Sequence, residues 1–246
     1  MTRSAVRICL AAPVLNTQTI CLRVLFILVK HAILVTMDYI TLKKEASAEF
    51  VDRRSRFIAR VSPVQTEEEA LAFLNTIRQD HSATHHVFAY RLRDRNFARY
   101  NDDGEPSGTA GLPVLDVLER GNITDAIIVV SRWFGGTLLG TGGLVRAYST
   151  AAKLAVEAAG VVEMGLAGLY TLKVSYADYD KVIRLARDTD VAIDDSQFEE
   201  EVTLRLIATD QAAEDFSDKL RELTRGSKDI ELISKQYYPL KEKKVF

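Results

Sequence analysis

Cysteine is nearly absent from this chain: its only two cysteines, Cys9 and Cys21, both lie in the first 36 of 246 residues. The rest of the chain therefore cannot form a disulfide or a thiolate metal site. Long apolar runs are missing too, because Arg23 and Lys30 interrupt the most hydrophobic segment. A membrane-spanning helix needs about 20 apolar residues. The sequence thus favours neither a membrane partner nor an export signal, and we expect a cytoplasmic protein.

A large excess of one charge is also lacking, since 32 basic residues stand against 34 acidic ones. The first 36 residues contain four basic residues and no acid, which leaves 28 basic against 34 acidic residues from Met37 onward, a balance of −6. A protein so balanced does not attract polyanions over its whole surface, so any nucleic-acid contact is expected at a local patch. Because a strand-like pattern begins at Met37, we expect residues 1–36 to be a non-native or disordered extension.

The periodicity after Met37 predicts a mixed α+β domain over residues 37–163. A helix is predicted over TEEEALAFLNTIRQDH, with Thr66 as its N-cap, and another over AGLPVLDVLERGN, ending at a left-handed Gly121. ITDAIIVVSRWF is almost entirely apolar and predicts a central strand. Strands are also predicted over DYITLKKE, RSRFIARVSPV, THHVFAYRL and NFARYN. A long helix, LVRAYSTAAKLAVEAAG, is predicted after the second glycine segment. In the first helix, TEEEALAFLNTIRQDH, the buried face is predicted to hold Leu71, Leu74 and Ile77.

A second domain is predicted over residues 166–246, after a linker at residues 160–168. Its pattern is strand, helix, strand, strand, helix and strand within about 75 residues, which is the ferredoxin-like βαββαβ plan.

Nine of the 13 glycines fall between Gly104 and Gly143, which indicates positive φ or close backbone approach in that region. The segment GGTLLGTGG has the first two glycines of a phosphate-binding P-loop, but Thr141 occupies the lysine position. A dinucleotide fingerprint fails as well, because Val145 stands at its third glycine. What remains is a glycine loop before a helix N-terminus, a generic anion site that Arg132 and Arg146 can supplement. The alternative is that the glycines serve only as turns for packing.

The segment DDGEPSGTAG brings together Asp102, Asp103 and Glu105, which are suited to acid/base chemistry or to Mg²⁺ ligation. The alternative is turn and cap chemistry, with Ser107 capping a helix. His85 and His86 are neighbours on a strand, so one is expected to be buried and the other exposed, and they cannot easily share a metal. We find no nucleophile elbow, no HExxH helix and no complete catalytic constellation, so no catalytic residue, metal or cofactor is predicted.

Three segments, HHVFAYRL, DDGEPSGTAGLPVLDVL and IIVVSRWFGGTLLGTGGLVRAY, resemble in order and spacing the signature of the YigZ/IMPACT family. The resemblance covers Met37 to about Phe246. It implies an α+β fold with two domains. The N-terminal domain would be a β-α domain of the type found in ribosomal proteins and in domain four of elongation factor G. A ferredoxin-like domain similar to domain five of that factor would follow.

The resemblance also implies a function, since the eukaryotic relatives regulate translation by binding an activator of a stress kinase. For this chain it suggests a non-catalytic protein that binds RNA, the ribosome or a translation-associated protein through an anion-binding face of the first domain. The alternative is a metal-dependent hydrolase or transferase using Asp102, Asp103 and Glu105. The two glycine segments are expected to converge on one face of the sheet, and the candidate ligand-binding residues are His85, His86, Asp102, Asp103, Glu105, Ser107, Thr109, Arg132, Gly135, Gly136, Gly140, Thr141, Gly142, Gly143 and Arg146.

Overall fold

The structure is a computed structural model that describes residues 38–80 and 82–243. The predicted extension over residues 1–36 lies outside the described residues. The strands are β1 (Tyr39–Leu42), β2 (Ala46–Asp52), β3 (Ser55–Pro63), β4 (His85–Leu92), β5 (Phe97–Asn101), β6 (Ala126–Trp133), β7 (Val161–Val174), β8 (Ala192–Phe198), β9 (Val202–Ala208) and β10 (Glu231–Lys243), and the helices are α1 (Glu67–Arg78), α2 (Gly111–Arg120), α3 (Thr141–Ala159), α4 (Tyr176–Asp188) and α5 (Asp210–Thr224).

The first sheet is antiparallel throughout and has the strand order β2-β3-β6-β4-β5. The predicted central position of β6 is confirmed, and its first seven residues are buried because both faces of the sheet are covered. Helices α2 and α3 cover one face through a core that contains Phe57, Val87 and Ile128. Helix α1 covers the other face against Phe88 and Ile127.

Most of the helix and strand signals of the first domain were predicted correctly from the sequence. Thr66 caps α1, because its hydroxyl accepts a hydrogen bond from the backbone N–H of Glu69 at 3.2 Å. One detail of this helix was wrong. Leu71 is 38% exposed, and the buried face of α1 instead consists of Ala70, Leu74 and Ile77.

The end of α2 was also predicted incorrectly. Gly121 has an ordinary right-handed conformation, with φ −76°, and the left-handed residue is Asn122, with φ 48°. Asparagine tolerates this region because its short side chain can form local hydrogen bonds. Strand β2 was missed as well, since its residues alternate only between half-buried and exposed and carry no strong apolar signal.

The second sheet has the order β10-β7-β9-β8, which is the ferredoxin-like arrangement predicted from the strand and helix order. Tyr170, Leu172, Leu204 and Phe216 form its core with α4 and α5. The α+β fold class with two domains is therefore confirmed. The linker predicted at residues 160–168 is wrong, because residues 161–174 form one continuous strand. Gly165 lies within this strand, where a Cβ would come within 2.2 Å of Leu240 Cδ1, so the missing side chain leaves room for Leu240.

The predicted division between residues 163 and 166 falls inside β7 and stays a prediction as a domain boundary. Strand β1 pairs with β7 in the second sheet, although it precedes the first sheet in sequence. It also touches the first half of the chain, where the Ile40 carbonyl accepts a hydrogen bond from Thr124 N–H at 2.8 Å. None of the helices in the described residues combines the length and apolar character needed to cross a membrane.

A half-buried polar cluster around the buried Asp125 joins the two sheets. The Arg93 guanidinium lies over the rings of Tyr39 and Tyr237, with its central carbon 4.0 Å and 4.8 Å from the ring centroids. The Asp125 carboxylate accepts a hydrogen bond from the Arg93 backbone N–H at 2.6 Å and lies 3.6 Å from Arg93 Nε. Burial raises the pKa of Asp125, and its Arg93 contacts oppose that rise. Because Tyr39 and Tyr237 come from β1 and β10, this cation holds strands of the second sheet against the first domain.

We expect Arg93→Leu to lower the free energy of unfolding by about 1–3 kcal/mol at neutral pH, because it leaves the buried Asp125 without its cation. Urea denaturation would measure the change. A raised pKa means that the folded state takes up a proton more readily than the unfolded chain, so protonation of Asp125 at acid pH relieves the unpaired charge. The difference in unfolding free energy between the variant and the wild type should therefore shrink as the pH falls through the folded-state pKa of Asp125. An equal deficit at all pH values would contradict this account.

Candidate anion-binding site

The candidate residues gather at one end of the first sheet, where β3 and β4 begin and β6 ends. Here His85 of β4 pairs with Arg132 of β6, which in turn pairs with Phe57 of β3. The loop over residues 102–110, the loop over residues 134–140 and the first turn of α3 lie at this same end. We use the name polar edge for this end of the sheet: His85, Arg132, the two loops, the first turn of α3 and the β2–β3 turn at residues 53–54.

Asp102 organises the first loop through its carboxylate. Oδ1 accepts hydrogen bonds from the N–H groups of Ala110 and Gly111, at 3.1 Å and 2.8 Å, and Oδ2 accepts one from Gly108 N–H at 3.0 Å. These are donors that the start of α2 would otherwise leave unpaired. The predicted capping role therefore exists but belongs to Asp102, whereas Ser107 is exposed and does not cap the helix.

Asp103 connects this loop to β4. It has a positive φ of 47°, and its Oδ2 accepts a hydrogen bond from His86 backbone N–H at 2.7 Å. Its Oδ1 accepts a hydrogen bond from Arg78 Nη2 at 3.2 Å. The Asp103 carbonyl oxygen lies 2.7 Å from His85 Nδ1. The side chain and the backbone of Asp103 therefore fix both the strand and the His85 ring.

Glu105 is buried and links three elements. Its Oε1 accepts hydrogen bonds from Arg132 Nη1 of β6 at 2.5 Å and from the Tyr148 hydroxyl of α3 at 2.7 Å. His85 Nε2 lies 3.9 Å from the same oxygen. Burial, reinforced by the adjacent Glu105 carboxylate, raises the pKa of Tyr148, so the phenol stays protonated and donates its hydrogen bond.

Arg132 is buried between two aromatic rings as well as paired with Glu105. Its central guanidinium carbon lies 5.5 Å from the Phe57 ring centroid and 5.7 Å from that of Phe134. Only 7% of the side chain is exposed, and its Nε has no hydrogen-bond partner among the described residues. Arg132 is therefore a buried support of the loop through Glu105, and its predicted role as a ligand-binding cation stays a prediction.

The two histidines point to opposite faces, and one of them is buried as predicted, whereas the other, His85, is half-buried and not exposed as expected. His86 is buried, with Nε2 3.1 Å from the Asp80 carbonyl oxygen and Nδ1 2.9 Å from Ser131 Oγ. A carbonyl only accepts, so neutral His86 carries its proton on Nε2, while neutral His85 carries it on Nδ1 toward Asp103. His86 faces the α1 side of the sheet and is a satisfied core histidine, so only His85 faces the network of Glu105.

The second glycine segment forms the loop before α3. Gly135 packs against the β2–β3 turn so closely that a Cβ would lie 2.1 Å from the Arg54 carbonyl carbon. Gly140 has φ 71° and is the N-cap of α3, with no side chain capping the helix. The exposed Arg146 lies one turn into α3, and its Nη1 is 4.0 Å from the position of a Cβ on Gly142. The first N–H groups of α3 are thus uncapped and lie beside an arginine.

The structure brings most of the predicted residues to the polar edge. Thr109 uses its hydroxyl within the loop, donating to the Pro106 carbonyl at 2.6 Å. Gly136, Thr141 and Gly142 are exposed, whereas Gly143 is buried against Leu139. Sequence reasoning missed Tyr148, whose position on the buried side of an alanine-rich helix suggests only packing. It also missed the pair Arg53–Arg54, which a two-residue spacing between β2 and β3 would have placed at a turn.

The three carboxylates of the first loop do not share a common centre. Asp102 faces backbone N–H groups, Asp103 faces Arg78 and β4, and Glu105 faces Arg132 and Tyr148. Within residues 38–80 and 82–243, no group of three or more histidine, cysteine, aspartate or glutamate side chains has a geometry that could hold a metal ion. The carboxylates are therefore occupied in holding the loop, which does not support the metal-dependent alternative.

Comparisons with known proteins agree with this architecture. A family model described as the Impact N-terminal domain matches residues 53–156, and one described as a domain of unknown function (DUF1949) matches residues 172–227. The IMPACT family member YvyE of Bacillus subtilis is 36% identical over 195 residues, which cover 78% of this chain and 90% of YvyE. The IMPACT family member YigZ of Escherichia coli is 34% identical over 179 residues, which cover 71% of this chain and 88% of YigZ.

One solved structure, described only as that of a hypothetical protein, is 31% identical with a TM-score of 0.51 and covers 80% of this chain and 98% of its own. The two-domain α+β architecture and the similarity over most of both chains define the class of protein. The chain belongs to the IMPACT family.

The two neighbouring histidines are expected to have opposite neutral tautomers, His85 with its proton on Nδ1 and His86 with its proton on Nε2. The carbonyl that each ring contacts can only accept a hydrogen bond, which fixes the assignment. Nitrogen-15 chemical shifts of the imidazole rings, measured at a pH where both are neutral, would distinguish the two forms. The same tautomer in both rings would contradict the hydrogen bonds described.

Asp102→Ala is expected to lower the free energy of unfolding by about 2 kcal/mol, the upper range for loss of a helix cap, since it leaves three backbone N–H groups without an acceptor. The loss should be the same with and without Mg²⁺, because the carboxylate serves the backbone. Ser107→Ala is the matched control in the same loop and should change little. A deficit that appears only when Mg²⁺ is present would instead assign Asp102 to a metal site.

Proposed function

We propose that this protein binds RNA in the setting of translation, as free RNA or as part of the ribosome, through the polar edge of the first domain. The link to translation comes from the family, whose eukaryotic members the sequence resemblance connects with translational regulation. The proposed ligand is an RNA phosphate at the start of α3. The proposed contacts are the uncapped N–H groups of residues 141–143 and the Arg146 guanidinium, with His85 and the Glu105 network fixing the loop beside them.

The observation that carries the proposal is the distribution of charge at the polar edge. The acids Asp102, Asp103 and Glu105 are turned inward onto N–H groups, arginines and a tyrosine hydroxyl. Arg53, Arg54 and Arg146 are exposed and have no ion pair or side-chain hydrogen bond within the described parts of the chain. A chain with an overall acidic balance thus has a local positive surface, as a local phosphate contact requires.

The helix geometry adds to this charge. The N-terminus of a helix presents unpaired N–H groups and a partial positive charge of about half a unit, which favours an anion. Gly140 leaves these groups open, because it has no side chain to cap them or to cover them. The side chain of Arg146 comes from the same helix, so the two contributions act at one place.

The open face of the second domain's sheet is a second surface to consider for RNA binding. On the open face of its sheet, the central strands β7 and β9 present Thr171, Lys173, Thr203 and Arg205, opposite to the buried Leu172 and Leu204. RNA-binding domains with this strand order stack bases on aromatic residues of those strands. These four positions hold no aromatic residue, which supports placing the RNA contact on the first domain.

We expect Arg146→Ala to weaken binding of the full chain to ribosomes and to RNA in co-sedimentation across a salt series. Loss of one phosphate contact should reduce the slope of log affinity against log salt by about 1 and should do so uniformly across RNA sequences. The residue is exposed and has no ion pair with any other described residue, so the melting temperature should stay close to that of the wild type.

The matched control is Arg187→Ala, which removes an exposed arginine from α4 of the second domain and should leave both binding and salt dependence unchanged. An equal loss in both variants would indicate general electrostatic attraction and would overturn the assignment to α3. Absence of binding by the wild type at low salt, to ribosomes and to RNA alike, would reject the proposed function itself.

A further inference from the structure

The turn between β2 and β3 consists of Arg53 and Arg54, because Asp52 pairs with Ser55 across the hairpin. Both arginines have positive φ, 45° and 69°. Two-residue hairpin turns of this kind strongly favour Asn-Gly, since a Cβ is unfavourable in the left-handed region. Two arginines at these positions are therefore expected to make the hairpin less stable than Asn-Gly would.

Both side chains project from the tip of the hairpin into solvent. Neither forms an ion pair or a side-chain hydrogen bond in the parts of the chain that are described. The nearest acid in sequence is Asp52, which is half-buried, so the tip presents two positive charges against one negative charge. Two such charges on one exposed turn form a local positive patch, which attracts anions.

An exposed aromatic ring lies next to this tip. Gly135 packs against the Arg54 carbonyl, which places the preceding residue, Phe134, beside the turn. The buried Arg132 guanidinium lies over the Phe134 ring, 5.7 Å from its centroid, yet 49% of Phe134 remains exposed. A ring supported on one side by a fixed cation and open to solvent provides a platform for a planar group.

From this juxtaposition we infer that the polar edge binds single-stranded RNA, with a base stacked on Phe134 and the adjoining phosphates on Arg53 and Arg54. This inference rests on the proposed function and names the form of RNA that it takes. Bases in a duplex are stacked on one another and are not free to stack on a side chain, whereas those of a single strand are. An acidic peptide would satisfy the arginines but would offer no base for the ring.

The first test replaces the turn with the one that the hairpin geometry prefers, Arg53→Asn together with Arg54→Gly. The probe is an oligouridine of about 12 nucleotides, within the length that single-strand binding domains cover. Loss of two phosphate contacts should reduce the salt slope of binding by about 1.4. The melting temperature should rise, because the positive φ values no longer carry a penalty.

The matched control is Arg187→Asn together with Arg225→Gly in the second domain, since Arg225 is also left-handed, with φ 53°. Like the first variant, this control removes two positive charges and places glycine at a residue with positive φ. It should leave oligouridine binding unchanged. Unchanged binding in the Arg53/Arg54 variant would overturn the inference. A fall in its melting temperature together with weaker binding would assign these arginines to folding and would also overturn it.

The second test is Phe134→Leu, which keeps an apolar side chain but removes the aromatic face. Oligouridine should bind at least about fivefold more weakly, the lower range for loss of one base stack, while an RNA duplex of the same length should bind as before. An equal loss for both forms, or tighter binding of the duplex by the wild type, would overturn the single-strand assignment. An acidic peptide of equal charge that binds as tightly as oligouridine would also contradict it, because the peptide has no base to stack on Phe134.

The failure of this inference can be distinguished from the failure of the proposed function. If Arg146→Ala loses ribosome binding while the Arg53/Arg54 and Phe134 variants bind oligouridine as the wild type does, the proposed function stands and the single-strand contact falls. If the wild type binds neither ribosomes nor any RNA, both fall together.

Discussion

A single buried carboxylate, that of Glu105, holds the polar edge together. It comes from the first loop, pairs with Arg132 of the central strand and accepts the hydroxyl of Tyr148 from α3. A charge at this depth requires a partner, and removal of one member of such a pair typically costs about 3–5 kcal/mol. The loop, the strand and the helix are therefore fixed relative to one another by one group. The positions of the two glycine segments follow from that constraint, since each segment is attached to one of these elements.

The same network explains how an acidic chain presents a positive surface. Asp102, Asp103 and Glu105 make the sequence of the first loop strongly acidic, but each carboxylate is directed inward. Their charge is used to fix backbone and guanidinium groups, so it contributes little attraction for cations in solution. At the polar edge, the arginines that have no such partner among the described residues are Arg53 and Arg54 at the hairpin tip and Arg146 in α3. A count of charges along the sequence could not separate these two groups, because it does not record which charges are internally paired.

Local patterns predicted the elements well, and tertiary contacts account for what they missed. Thr66, the apolar run of β6 and the order of the second domain are signals contained in short segments, and all three were read correctly. The cap of α2 could not be assigned in this way, because Asp102 reaches it from eight or nine residues earlier in the chain. The linker prediction failed because residues 161–174 form one long strand that pairs with β1, β9 and β10, and these tertiary pairings leave no local signal in the sequence.

The glycines of the candidate site have two different roles, and the sequence alone does not separate them. Gly135 is fixed by close packing on the hairpin turn, which is an architectural role. At Gly140, in contrast, a Cβ would meet nothing within 4 Å, so the residue is required by its positive φ alone. That conformation ends the loop without covering the first turn of α3. A glycine loop that served only for packing would bury its backbone, whereas this one leaves Thr141 and Gly142 exposed beside Arg146, which has no ion pair among the described residues. The openness of the backbone at this point therefore favours a binding role for the second glycine segment over a purely structural one.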